Sequence, residues 1–140
     1  MHHGRACVDE GEKRDVRRRF IRETLLKANL SIDHARSALT RREERAFDDY
    51  IWKTAFHLEY LTFLLSLSRT NVDDVWKKRE KLKRGVDLTI ILSLAQDSLK
   101  EAEKDDSVEG MYRKVWIARG RILSIQRRLN NAKAKKFSYL

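Results

Sequence analysis

From about residue 12 onward the chain sets apolar side chains at alternating steps of four and three, the spacing that gathers them onto one stripe of an α-helix. Ile21, Leu25, Ala28, Ile32, Ala35 and Leu39 form the first seam, and Phe47, Ile51, Thr54, Leu58, Leu61 and Leu65 the second. Leu88, Leu92, Ala95, Leu99 and Ala102 form the third. Met111, Val115, Ala118, Ile122, Ile125, Leu129 and Ala132 complete the set. Seams of this period pack helices at shallow crossing angles. The pattern therefore predicts an all-α protein, an antiparallel four-helix bundle with helices over 12–39, 41–68, 72–104 and 107–135. Residues 12–136 form one domain in this reading, with 1–11 a flexible amino-terminal tail and 137–140 a carboxyl-terminal tail.

The breaks between seams carry cap signals. Thr40 and Glu43 have the spacing of a capping box, as do Asp106 and Glu109. Thr70 or Asn71 is placed to cap the third helix, with Asp73 and Asp74 in its first turn. The start of that helix is mostly charged, and Gly85 within it marks a bend or a tolerated helical glycine. Connections of only a few residues would make neighbours antiparallel, in up-down-up-down order.

The second segment is apolar on more than its seam. A helix of this kind is buried on most sides, or covers a partner. Trp52, Phe56, Tyr60 and Phe63 lie off the seam and are the candidate interface of a homodimer. The alternative for Trp52 is a ring folded sideways onto helix 1 or helix 3.

Composition agrees with helix. The 140 residues include no proline and five glycines, so little interrupts long helices. The single cysteine, Cys7, builds no intrachain disulfide and no thiolate metal site, and suits a reducing compartment. The amino terminus lacks the apolar core of a signal peptide. The charge-free stretch of the second helix, residues 60–68, falls far short of the roughly 20 residues that span a bilayer. A cytoplasmic protein with no membrane contact is expected. High charge with only two glutamines, Gln96 and Gln126, resembles heat-adapted proteins.

The net charge is +10, and its distribution changes the picture. Residues 12–22 carry net +4, residues 62–84 net +4 and residues 126–140 net +5, so the remainder of the chain is slightly acidic. In an up-down-up-down bundle those three segments meet at one end. The expectation is a basic pole that binds nucleic acid or another polyanion through Arg14, Arg17, Arg18, Arg22, Lys77, Lys78, Lys81, Arg84, Arg128 and Lys135. Trp76, Phe137 and Tyr139 are possible stacking groups. An acidic protein partner, or plain solvation of a charged surface, accounts for the same residues without nucleic acid.

Known chemistries of helical bundles leave no trace. Di-metal carboxylate sites need Glu-x-x-His pairs, and none of the four histidines follows a glutamate at that distance. The arginine that precedes the histidine of bundle ribonucleases by five to seven positions is missing before His34 and His57. Paired acidic turns for magnesium and glycine-rich phosphate loops are absent as well. His57, in line with Asp49 and Lys53, reads as a hydrogen-bonded structural histidine. Met1-His2-His3 has the form of a Cu(II)- or Ni(II)-binding terminus, and a start-codon coincidence explains it more simply. The sequence thus points to a non-catalytic binding protein without catalytic residues, metal or cofactor. The alternative is a helical adaptor that works through helix 2 and the tail Phe137-Ser138-Tyr139-Leu140.

Overall fold

The computed structural model describes residues 3–70, 74–77 and 85–138, with side chains described within 11–133. Four helices are present: α1 (His3–Thr40), α2 (Glu44–Ser66), α3 (Leu88–Lys104) and α4 (Val108–Ser138). They form an all-α four-helix bundle. The seams are its core. Ile21, Leu25, Ala28, Ile32 and Ala35 of α1 meet Phe47, Ile51, Leu58, Leu61 and Leu65 of α2. Leu92, Ala95, Leu99 and Ala102 of α3 and Val115, Ala118, Ile122 and Ile125 of α4 close the other half. Buried alanines on α1, α3 and α4 keep these axes close. Leu39, Leu88, Met111 and Leu129, at the seam ends, are only partly buried, and Ala132 is exposed.

The helix directions differ from the sequence expectation. Arg17 bonds Ser68, so α1 and α2 run antiparallel. Asn29 bonds Glu103, while Arg36 and Asp33 hold the two ends of the Gln96 amide, so α1 and α3 also run antiparallel. Arg69 with Glu109, Glu59 with Arg119 and Asp48 with Lys133 set α2 antiparallel to α4. Hence α2 is parallel to α3, and α1 to α4. Each member of one pair packs on both members of the other. The order is up-down-down-up, not up-down-up-down. Between the end of α2 and the start of α3 the chain crosses to the far end of the bundle, where Val86 accepts a bond from Arg128 of α4.

The cause lies in the charged first half of the expected third helix. Its apolar positions, Val72, Val75, Trp76 and Leu82, are sparse and Arg79 falls among them, so a helix there would bury little, and helix stability in proteins comes mainly from such packing. The described residues 74–77 and 85–87 are not helical, and Gly85 stands at φ +89°, in the left-handed region that favours glycine. Helix α3 starts at Leu88 rather than 72, capped by Asp87, whose Oδ1 accepts the Thr89 amide at 3.1 Å. Replacing Asp87 with alanine is expected to cost about 1 kcal/mol, read as a lower urea midpoint.

The other caps are also reassigned. Thr40 ends α1 and donates to the Arg36 carbonyl, Arg42 turns the chain at φ 58°, and Glu43 precedes α2 without a side-chain cap. At α4 it is Ser107, not Asp106, whose hydroxyl accepts the Gly110 amide. Thr70 caps nothing in α3, and Asn71 and Asp73 lie outside the described residues. At the termini, α1 includes residues 3–11, read from sequence as a flexible tail, and α4 continues to Ser138.

Candidate functional site

The crossover divides the basic segments between two ends. The proximal end holds the start of α1, the ends of α2 and α3 and the start of α4. The distal end holds the end of α1, the starts of α2 and α3 and the end of α4. Arg14, Arg17, Arg18 and Arg22 are therefore proximal, while Arg128 and Lys135 are distal. Arg17 stands level with Ser68, whereas Arg128 falls between the levels of Glu59 and Asp48, about 15–30 Å farther along the bundle. A single basic pole does not form. Lys78, Lys81 and Arg84 lie outside the described residues, as do the side chains of Lys135 and Phe137 and the whole of Tyr139.

Several cations of the basic segments, Lys77 and Arg128 of the expected contact set among them, make contacts within the bundle. Arg69, with its side chain 5% exposed, bonds Glu109 through Nε at 2.8 Å and through Nη2 at 2.9 Å. Its Nη2 also reaches Asp74 at 3.1 Å, and its guanidinium lies 4.0 Å from the Tyr112 ring centroid. Lys77 donates to the Tyr112 hydroxyl at 2.8 Å and sits 5.7 Å from the Trp76 ring centroid. Trp76 packs edge-on against Tyr112 and Trp116, with centroids 5.9 and 5.5 Å away. These contacts fasten the start of the crossover to α4. They also remove Trp76 and Lys77 from the list of stacking and phosphate-binding groups, because both are half-buried and committed. Sequence reading missed this clasp, since a Trp-Lys pair in a charged run gives no sign of the partner that will cover it. At the distal end Arg128 is held by the Val86 carbonyl and Lys133 by Asp48 at 2.6 Å.

The clasp has a pH signature. The Arg69 bond holds the Glu109 carboxyl below its ordinary value, and the Lys114 bond with the Ser107 amide does the same for Asp105. A carboxylate lowered in the folded state stabilises fully above its unfolded pKa, near 4, and loses that contribution as pH falls through the folded value. Stability should therefore drop in acid, from about pH 5 downward. Urea midpoints taken across that range should show a flatter acid arm for Glu109→Gln with Asp105→Asn.

Exposed cations without an ion-pair partner among the described residues include Arg41, Arg42, Arg45 and Arg127 at the distal end, and the densest run of them is on α1. Lys13, Arg14, Arg18, Arg19 and Arg22 are exposed, and among the described residues none has an ion-pair partner. Arg17 is half-buried and bonds Ser68 through Nη1 at 3.2 Å. Because Arg17 stands level with Ser68, just past the end of α2, the turns of α1 ahead of it run beyond that helix. Ile21 is the first buried residue of α1 in the described stretch. Arg14, Arg18 and Arg22, four apart, line one flank. On the α2 side Lys13, Val16, Arg17 and Phe20 meet Tyr60 and Leu64 across a groove of about 450 Å³. Val16 and Phe20 are each 46% exposed. This shoulder combines dense positive charge with an accessible ring.

The four candidate interface residues are all on the surface: Trp52, Phe56, Tyr60 and Phe63 are exposed, joined by Leu67. Trp52 does not fold onto a neighbouring helix. His57 is half-buried beside Phe56, with its pKa lowered by burial and then by Lys27 and Lys53. It is neutral near pH 7, and the groups that shift it are cations, not a catalytic acid. Among the described residues no cluster of three or more His, Cys, Asp or Glu is placed to hold a metal ion. No helix is long and apolar enough to cross a membrane. Met1, His2 and the side chains of His3 and Cys7 lie outside the described residues.

Comparison with known proteins gives one partial likeness. The chain is 31% identical over 84 residues to a tRNA 2-selenouridine synthase of Sulfurovum sp. (strain NBC37-1). The match takes in 56% of this chain but only 21% of that enzyme, so the chain spans about a fifth of its relative's length. No family model and no solved structure matches.

Proposed function

We propose that this protein is a non-catalytic nucleic-acid-binding module that holds its ligand on the basic segment of α1. The observation that carries the reading is the concentration of five exposed cations between Lys13 and Arg22 that have no ion-pair partner among the described residues. Elsewhere in the bundle many of the basic groups are engaged by carboxylates, carbonyls or rings. Cations that are not neutralised within the protein retain their attraction for phosphates, whose condensed counterions are released on contact. Phe20 adds a ring on which an unpaired base can stack. The partial likeness to an enzyme named for its action on tRNA makes folded RNA the ligand of choice.

This reading replaces the single basic pole with a smaller site on one helix. Arg14, Arg18 and Arg22 stay in it, Lys13 and Arg19 join it, and Arg128 leaves it. The test is binding of a fluorescently labelled tRNA between about 50 and 300 mM salt, read by anisotropy. Contacts from four to five cations give a logarithmic salt slope of about −3 to −4.5. A slope near zero would remove nucleic acid as the ligand and leave an acidic protein partner as the reading of the same cations.

A further inference from the structure

The outward face of α2 is an apolar stripe that nothing in the bundle covers. Trp52 is 53% exposed, Phe56 70%, Tyr60 41%, Phe63 57% and Leu67 53%. At 100° per residue these positions fall within an 80° sector, opposite the buried seam of Ile51, Leu58 and Leu65. Their steps of four, four, three and four make the stripe continuous over about 22 Å. No charged residue interrupts it between Trp52 and Leu67. Asp49 ends it one turn before Trp52, Lys53 borders one side, and Glu59 borders the other, where it is bonded to Arg119 at 2.5 Å.

We infer that this stripe is the contact surface for a second copy of the chain, joined through a two-fold axis that crosses α2 between Glu59 and Tyr60. Three observations select this occupant. The first is area. Aromatic side chains carry about 150–250 Å² each, so four of them roughly half exposed, with Leu67, offer roughly 500 Å². That is at the upper part of the roughly 300–600 Å² of the largest, often functional, patch on a monomer, and a stable interface of ~800 Å² per partner would draw the rest from the rims of the stripe. The second is self-complementarity, which a two-fold interface requires. Pairing antiparallel α2 helices about that axis sets Trp52 against the partner's Leu67 and Phe56 against the partner's Phe63. Only Tyr60 falls beside the axis without an apolar counterpart. The third is charge. The same pairing places Lys53 opposite Ser66 and Asp49 opposite Thr70, and the two Glu59 carboxylates that meet beside the axis are each neutralised by the Arg119 of their own chain. A nucleic acid, by contrast, would find no cation within the stripe, and the basic flank of α1 would stay open in the dimer.

Sedimentation at about 50 µM decides the first part. The 16.6 kDa chain should run at twice that mass, and Phe56→Glu or Phe63→Glu should return it to monomer with unchanged helical circular dichroism. Both side chains are exposed in the single chain, so a folded monomeric variant is expected. A monomeric parent, or a dimer that survives both substitutions, would overturn the proposal. Geometry is tested in a Cys7→Ser background with a short thiol cross-linker. Tyr60→Cys, beside the axis, should link to its copy. Lys53→Cys should not, since the two copies stand about 20 Å apart along the helices. Equal linking at both positions would mean parallel helices and refute the two-fold assignment.

Discussion

Replacing Arg14, Arg18, Arg19 and Arg22 together with alanine should weaken tRNA binding by about 100-fold or more at 50 mM salt, and reduce the salt slope by about 3. Both numbers follow from counterion release, in which each lost phosphate contact removes about 0.7–0.9 from the slope. The four side chains are exposed and make no internal ion pair among the described residues, so the fold should be untouched. The informative comparison is with Arg127, Arg128 and Lys133 at the distal end. Those groups lie about 15–30 Å farther along the bundle, beyond the ~10 Å Debye length at 0.1 M salt. An oligonucleotide of two or three nucleotides should be much less sensitive to their loss than to that of the α1 arginines. Equal sensitivity to both sets would show that charge alone, and not the α1 shoulder, governs binding.

Arg69→Met should lower the stability of the bundle by about 2–3 kcal/mol, the second large effect. The substitution keeps the aliphatic stem and removes the charge. It leaves Glu109 with only Arg113 and Asp74 with only Lys77, at 3.7 and 3.5 Å, and takes the guanidinium from the Tyr112 ring. The loss stays below that of breaking a fully buried pair because the two carboxylates remain 33% and 42% exposed. Urea unfolding measures the loss. Limited trypsin digestion locates it, because the crossover should open before the helices do. Tyr112→Phe serves as the control: it retains the ring beneath Arg69, loses only the Lys77 bond, and should cost about 1 kcal/mol. An Arg69→Met protein with an unchanged midpoint would mean that the crossover is held by its aromatic contacts alone.

The helices were legible because their signal is local. Positions three and four apart face the same way in any α-helix, so Phe47 through Leu65 announce a seam whatever packs on it. Surplus apolar residues off that seam were legible for the same reason, and Trp52, Phe56, Tyr60 and Phe63 are exposed as their positions implied. Cap assignments fared worse. The Thr40–Glu43 and Asp106–Glu109 spacings fit capping boxes, yet Thr40 ends its own helix and Glu109 turns to Arg69. A cap is a competition among nearby partners, and the winner for Glu109 lies 40 residues earlier in the chain.

Helix content and the faces to be buried were thus written in the sequence itself, since both rest on short-range periodicity. The direction of α3, and with it the meeting or parting of the basic segments, was decided only by tertiary structure. A charged stretch with sparse apolar positions can extend a helix or cross over at similar local cost. The choice falls to distant contacts: Arg69 with Glu109, Trp76 with Trp116, Arg128 with the Val86 carbonyl. Those contacts separate the start of α1 from the end of α4, and so divide the accessible positive charge between the α1 shoulder and the distal end.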